Sequence, residues 1–248
     1  MNDGVGWLLT AAWGLCVGSF LNVIIHRLPY VALDPNGSVW QALSQPRSHC
    51  PQCGHKLAMQ HLVPILSWLW LRGRCAFCRA AIPWRYPLIE LATLLLWLLC
   101  AAHWGAGLAG WLWALFGSAL LALAVIDART YLLPDALTQP LLWLGLLASQ
   151  QEWIARPLSE AVAGAMLGYL SLWLVATAFE RITGKVGMGA GDFKLLAALG
   201  AWLGPLALLP LVFMASFVGA GVGWVLQRRG GLPDSGHVPF GPFLALAA

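Results

Sequence analysis

Charged side chains are scarce in this chain: Asp, Glu, Lys and Arg make up 10% of its 248 residues, and only ten residues are acidic. A soluble domain of this length carries about 25% charged residues. Hydrophobic residues reach 60%, and the mean hydropathy is +0.74. This composition excludes an ordinary soluble protein and predicts a polytopic membrane protein. Spanning segments satisfy their backbone groups internally, so we expect an all-α fold.

Basic residues are absent ahead of the first apolar run, which argues against a cleavable signal peptide. Helical spans need roughly 17–25 mostly apolar residues. Such segments are predicted at residues 6–25, 88–104, 108–126, 136–149 and 161–179. Residues 193–226 are interpreted as two further spans, one of them short or kinked, that meet near Gly204-Pro205 or at Pro210. We therefore expect about seven transmembrane helices, with the apolar residues 243–248 too short to span.

Basic residues are unevenly distributed along the chain. Residues 26–87 contain seven of the fourteen Lys and Arg and a single acid, Asp34. The positive-inside rule places this loop in the cytoplasm and the N-terminus in the periplasm. Counting spans from there puts Asp127 and Asp192 on the cytoplasmic side as well. We expect the net charge of +4 to orient the spans and contact anionic lipid, with no nucleic-acid partner.

Four of the six cysteines lie in two Cys-x-x-Cys pairs with 21 residues between the pairs. The four are Cys50, Cys53, Cys75 and Cys78. Two pairs at this spacing predict one tetrahedral zinc site, structural because four protein ligands leave no open position. Two disulfides are the alternative, which a cytoplasmic loop disfavours. Cys16 and Cys100 fall in apolar spans and are interpreted as buried packing residues.

Two acidic residues stand where a long apolar run meets a short polar stretch. Asp127 lies in V-I-D-A-R-T-Y-L-L-P-D and Asp192 in M-G-A-G-D-F-K. Ionisable groups at the ends of spans are costly and mark functional sites by default. Two adjacent carboxylates share one proton, so one can activate water while the other donates a proton to the reacting amide. The pair is therefore a candidate for peptide hydrolysis.

Structural interpretations of these acids are equally available. Asp192 is a candidate N-cap of the next helix, and Asp135 a candidate N-cap of the span at 136–149. Gly189 and Gly191 would permit a sharp turn into the helix, or a close approach of a substrate backbone.

Several strings, in the same order, resemble the type IV prepilin leader peptidases, membrane aspartic proteases with a G-x-G-D motif. They lie at residues 18–29, 47–53, 66–75, 85–91, 127–135, 187–194 and 239–242. The resemblance implies that Asp127 and Asp192 are the catalytic pair, with Asp135, Gly189 and Gly191 in supporting roles. Similar proteins usually continue into an eighth helix after P-F-G-P, whereas this chain has six residues beyond it.

The resemblance also implies a substrate and a second reaction. The family removes a short basic leader from prepilins or type II secretion pseudopilins, at the cytoplasmic face of the bacterial inner membrane. Many members then methylate the new N-terminus with S-adenosylmethionine, an activity associated with the cysteine loop. Gly73 is the candidate cofactor-binding residue that the resemblance suggests. Asn22, Arg27 and Glu90 are polar residues at span edges within matching strings. Each is interpreted as part of the methyl-transfer site, as an anchor at a helix end, or as a partner in a buried hydrogen bond.

The sequence divides into three parts on this interpretation. Residues 1–25 form the first span, 26–87 the zinc-binding domain, and 88–248 the membrane peptidase domain. The alternatives are a related preflagellin peptidase, which generally lacks the cysteine loop, a proton-coupled carrier with acids near the bilayer midplane, and a non-catalytic assembly factor.

Overall fold

Helices account for most of the chain, which confirms the all-α prediction. The computed structural model describes residues 3–34, 37–185, 187–229 and 239–248. No strand occurs in these residues, which contain a 3₁₀ turn at Met59–Leu62 and two isolated β-bridges. The helices are α1 (Asp3–Ala32), α2 (Val39–Ser44), α3 (Leu66–Trp70), α4 (Arg85–Trp104), α5 (Leu108–Thr130), α6 (Asp135–Gln150), α7 (Leu158–Thr183), α8 (Ala190–Leu203), α9 (Pro205–Arg228) and α10 (Gly241–Ala247).

Five helices are long and apolar enough to cross a membrane: α1, α4, α5, α7 and α9. Each coincides with a predicted span. The remaining two predicted spans also form helices, but α6 has 16 residues and α8 has 14. The break between α8 and α9 falls at Gly204, with Pro205 as the first residue of α9, and Pro210 lies inside that helix. The total of seven spans stays a prediction.

Helix α1 continues past the predicted boundary at residue 25 and ends at Ala32. Its buried residues recur at helical spacing: Leu21, Ile24, Ile25 and Leu28. The buried stripe continues past His26 and Arg27, the polar residues that suggested that the helix ends at residue 25. The helix therefore continues because its buried face does.

The chain divides into two compact units, residues 1–118 and 119–248, with the boundary inside α5. In the first unit, α1 packs against α4 through two glycines one turn apart. A Cβ on Gly18 would lie 2.9 Å from Cα of Glu90, and one on Gly14 would lie 3.0 Å from Cβ of Trp97. Small residues at this spacing allow helix backbones to approach closely.

The core of the first unit contains Trp97, Cys100 and Ala114, and the indole of Trp97 donates to Oγ of Ser118 at 3.0 Å. The packing interpretation is confirmed for Cys100. It is wrong for Cys16, which is exposed on α1.

In the second unit α8 is surrounded by other helices. Nine of its fourteen residues are buried, and it packs against α6, α7, α9 and α10. A Cβ on Gly164 of α7 would collide with the carbonyl oxygen of Gly200 of α8, and a Cβ on Gly200 would collide with that of Gly164. Trp202 donates from its indole to the carbonyl of Leu141 at 2.9 Å. A helix enclosed by protein need not have the length of a lipid-facing span.

Candidate active site and metal centre

Asp127 lies in the last turn of α5, in the second unit, and only 5% of it is exposed. Its Oδ2 accepts a hydrogen bond of 2.9 Å from the backbone amide of Gly241. Gly241 belongs to the P-F-G-P string and is the first residue of α10. The fold therefore brings the last of the quoted strings against the first acidic one, although 114 residues separate the two groups.

Asp192 lies in the first turn of α8 and is half-buried. Its carboxylate is close enough to that of Asp127 for an electrostatic interaction between the two. The structure thus brings together the two acids that the sequence singled out. The interpretation of Asp192 as an N-cap is wrong, because α8 begins two residues earlier with Gly189 at the cap position.

Leu133 connects the three strings that meet here. A Cβ on Gly191 would lie 2.8 Å from Cβ of Leu133, and one on Gly241 would lie 3.2 Å from its Cδ2. A side chain at either glycine would push this contact apart. Gly189 is less constrained: a Cβ there would meet Oδ2 of Asp192 at 3.9 Å, an ordinary contact distance.

Asp135 is the first residue of α6 and forms an ion pair with Lys194 of α8. The ammonium nitrogen Nζ lies 2.7 Å from both carboxylate oxygens. Pro134 occupies the cap position of α6, so the N-cap interpretation of Asp135 is wrong. The pair joins the polar stretch after Asp127 to the helical turn that contains Asp192.

The arrangement contains the groups that acid–base hydrolysis requires. Two neighbouring carboxylates do not both ionise at low cost, and a pair that shares one proton can supply both a base and an acid. Burial removes competing water from Asp127, and the amide of Gly241 orients one of its oxygens. Sequence reasoning assigned no role to Gly241 or to Lys194. Both lie in strings that were already quoted, P-F-G-P and G-D-F-K, but their contacts are made across the fold.

The four paired cysteines form a cluster in the first unit. One sulfur atom from each lies within 4.8 Å of every other, and Sγ of Cys50 and Sγ of Cys78 are 3.8 Å apart. With Zn–S bonds of about 2.3 Å, tetrahedral geometry requires sulfur–sulfur distances of about 3.8 Å. The cluster therefore fits a zinc ion.

Each Cys-x-x-Cys pair is enclosed by a β-bridge, His49 with Lys56 and Arg74 with Ala81. In both, the residue after the second cysteine has positive φ: +68° at Gly54 and +61° at Arg79. The amide of each of these residues donates to the carbonyl of the first cysteine of its pair. The two turns have the same construction, so both present their thiols in the same way.

The thiols of Cys75 and Cys78 interact with each other, so one is the stronger acid. Hydrogen bonds from the backbone amides of Cys78 and Phe77 lower the pKa of Cys75, whereas burial and the neighbouring thiols raise the pKa of Cys78. Metal ions bind the thiolate and not the thiol, so metal binding by the cluster would release protons.

Gly73 has a structural requirement of its own in the cysteine loop. Its φ is +66°, and a Cβ there would lie 2.9 Å from Cζ2 of Trp68. Trp68 in turn donates from its indole to the carbonyl of Ile82 at 3.2 Å. A side chain at Gly73 would therefore displace the tryptophan that closes the loop, whatever the cofactor role of this glycine.

The three polar residues left open by the sequence all have hydrogen-bond partners in the first unit. Asn22 donates to the carbonyl of Tyr86 at 3.2 Å, which joins α1 to the first turn of α4. Arg27 donates to the carbonyls of Ala42 and Pro46 at 2.9 and 2.7 Å, which ties the segment after α1 back to that helix.

Glu90 makes the third of these contacts. Its Oε2 accepts from the amide of Ile65 at 2.7 Å, and Glu90 itself is 9% exposed. All three residues therefore have structural hydrogen-bond partners, and their part in methyl transfer stays a prediction.

Comparison with known proteins gives two family matches that together cover most of the chain. Residues 12–104 match the bacterial peptidase A24 N-terminal domain. Residues 114–224 match the type IV leader peptidase family.

Three similar proteins are called prepilin leader peptidase/N-methyltransferase. The protein from Aeromonas salmonicida is 46% identical over 100% of this chain and 91% of its own length. Those from Dickeya chrysanthemi and Pseudomonas aeruginosa are each 46% identical over 97% of this chain, and over 90% and 87% of their own lengths. No solved structure matches the chain.

We expect purified chain to contain roughly one zinc ion, and Cys50→Ser or Cys75→Ser to lose most of it during purification, because removal of one of four thiolate ligands weakens zinc binding. Elemental analysis by mass spectrometry measures this directly. Cys16→Ser is the matched control, since Cys16 lies outside the cluster on α1. Loss of zinc from the control alone, or its retention in both cluster variants, would contradict the assignment.

Proposed function

Because the chain belongs to the type IV leader peptidase family, we propose that Asp127 and Asp192 are the catalytic pair with which it cleaves the leader peptide of prepilins or pseudopilins. As a member of this family the chain is a peptidase and an N-methyltransferase. The observation that carries the proposal is that both acids adjoin one contact: Gly241, which donates to Asp127, and Gly191, which precedes Asp192, both lie against Leu133.

The proposed reaction needs no nucleophilic side chain. The ionised carboxylate draws a proton from a water molecule as the water oxygen attacks the scissile carbonyl carbon. The protonated carboxyl group donates its proton as the carbon–nitrogen bond breaks, and the leaving amine becomes the new N-terminus. One water is consumed, and the pair ends with a single shared proton, as it began.

The contacts that fix the positions of Asp127 and Asp192 support this chemistry. The amide of Gly241 fixes one oxygen of Asp127, and the Lys194–Asp135 ion pair holds the turn that contains Asp192. A carboxylate pair works only when both groups face the same water, so small displacements are costly. Asp135 and Gly191 therefore act as positioning residues in the proposal, and Gly189 as the cap of α8.

The chain is a multi-pass protein of the bacterial inner membrane, as its family and its five apolar helices indicate. We assign the N-terminus to the periplasm and the cysteine loop and both aspartates to the cytoplasmic side. The distribution of Lys and Arg supports this orientation. A substrate helix anchored in the same bilayer would present its cytoplasmic end, with the basic leader, to the aspartates.

The cysteine loop supplies the other groups of the proposed function. Its four thiols would hold a structural zinc ion, which would stabilise a segment too small to have a large core. S-adenosylmethionine supplies the methyl group for the second reaction, and Gly73 stays its predicted contact. Because Gly73 also makes room for Trp68, its substitution would disturb the loop as well as any bound cofactor.

Asp127→Asn and Asp192→Asn should each abolish leader cleavage, because an amide can neither accept the proton of water nor share one with its neighbour. Cleavage of a co-expressed prepilin in membranes measures this. Methylation of a pilin that lacks its leader should continue in both variants and serves as the control for folding. Normal cleavage by either variant would refute the catalytic pair.

Gly241→Ala should lower the rate of cleavage by about 100-fold, since displacement of a catalytic group by about 1 Å costs this much. The added Cβ would lie 2.6 Å from Oδ2 of Asp127 and would force the carboxylate to move. Gly221→Ala is the matched control, because nothing lies within 4 Å of a Cβ at that position in α9. Equal rates for the two alanine variants would show that the amide of Gly241 does not position Asp127.

Charge reversal tests the Lys194–Asp135 ion pair. Asp135→Lys and Lys194→Asp should each slow cleavage by about fivefold, which corresponds to ~1 kcal/mol for a partly exposed pair. The double variant restores opposite charges and should recover most of the rate. Glu160→Lys places like charges in the Arg156–Glu160 ion pair, which has the same length of 2.7 Å, and should leave cleavage unchanged. A double variant as slow as the singles would mean that the charges do not act as a pair.

A further inference from the structure

The short helix α3 presents an apolar face that no other described part of its unit covers. Leu66, Leu69 and Trp70 lie at positions i, i+3 and i+4, which share one side of a helix. They are 64%, 58% and 72% exposed. The opposite side carries Trp68, which packs over Gly73 and donates to the carbonyl of Ile82. Helix α3 therefore has an inner side that holds the loop together and an outer side with exposed large hydrophobic residues.

The contact of Ile65 with Glu90 fixes the position of α3 along the length of α4. Ile65 directly precedes α3, has a φ of +60°, and donates its amide to Glu90 at 2.7 Å. Glu90 is the sixth residue of α4, a candidate membrane span that begins at Arg85. At 1.5 Å per residue it lies about 7.5 Å from the start of that helix. The start of α3 is thus held more than one turn inside the length of an apolar span.

The surroundings of Glu90 on α4 point to the same environment. Leu88 and Leu91 are 49% and 44% exposed, as expected of residues that face lipid. Glu90 itself is buried, so its charge is kept away from that surface. A segment attached to α4 at this level therefore lies beside exposed leucines of a candidate membrane span.

The charges that follow α3 are those of a helix at a membrane surface. Arg72 and Arg74 come within four residues of its end, and Arg85 begins α4. Tryptophan is enriched at the boundary between acyl chains and headgroups, and arginine binds the phosphates of anionic lipids there. In this chain the tryptophan, Trp70, ends α3, and the arginine, Arg72, follows two residues later.

We propose that α3 lies in the interface of the bilayer, with Leu66, Leu69 and Trp70 inserted among the acyl chains and Arg72 and Arg74 at the level of the phosphates. The occupant of this apolar face is lipid of the membrane that α4 spans. The loop with the four cysteines is then attached to the membrane at three places: the end of α1, the start of α4, and α3 between them.

Photochemical cross-linking tests this in membranes. Trp70→p-benzoylphenylalanine keeps an aromatic group of similar size, and Leu69→p-benzoylphenylalanine supplies a second, independent position on the same face. After irradiation, mass spectrometry should find phospholipid attached at both positions. The matched control is Gln52→p-benzoylphenylalanine, an exposed polar position in the same loop between Cys50 and Cys53. We expect several-fold more lipid adduct at positions 69 and 70 than at position 52.

Two outcomes would overturn the proposal. Lipid adducts no more frequent at 69 and 70 than at 52 would place α3 in water. Adducts mainly to protein, whether a second copy of this chain or a prepilin, would make the face a docking surface for that protein. Prepilin cleavage by each labelled chain shows that the chain has folded. Because positions 69 and 70 are labelled separately, a local disruption caused by one label would not affect the result at the other.

Discussion

The backbones of α7 and α8 meet at Gly164 and Gly200 with no room for a side chain on either, and the second unit depends on this contact. It allows α8 to lie among α6, α7 and α9 with nine of its residues buried. A buried helix has little freedom to rotate or shift along its axis, because its neighbours contact it on several sides. Asp192, in its first turn, is therefore held by the packing of the whole helix.

The two aspartates are held by different kinds of interaction. Asp127 is buried and is fixed by a backbone amide, which any displacement of α10 would withdraw. Asp192 is fixed indirectly, through the packing of α8 and the ion pair between Lys194 and Asp135. An ion pair of this exposure contributes about 0–1 kcal/mol to stability, so its main effect is on orientation. Both interactions fix the positions of the two carboxylates, on which the proposed hydrolysis depends.

Sequence reasoning identified the features that depend on composition, on apolar runs and on the spacing of the cysteines. The low charge content predicted the helical fold, apolar runs located the long helices, and the spacing of Cys50, Cys53, Cys75 and Cys78 predicted a cluster whose sulfurs do meet. Both aspartates were selected by their position at the ends of apolar runs. The roles of the aspartates stay predictions, as does the division of the chain into three parts.

What sequence reasoning missed are contacts made between distant residues. The amide of Gly241 gives no side-chain signal, and Lys194 resembled any basic residue near a helix end. The structural interpretations of Asp192 and Asp135 as N-caps were wrong because each helix begins earlier than the acid suggested. Helix boundaries depend on burial as well as on local polarity, as the extension of α1 to Ala32 also shows.

The position of Gly241 along the chain affects the order in which the site is assembled. Asp127 belongs to α5, whereas its hydrogen-bond donor follows α9. During synthesis the aspartate therefore leaves the ribosome long before its partner does, with four helices still to be made. A newly inserted chain contains the acid without the group that orients it. The orientation of Asp127 is thus linked to completion of the fold, because its hydrogen-bond donor is made only after α9.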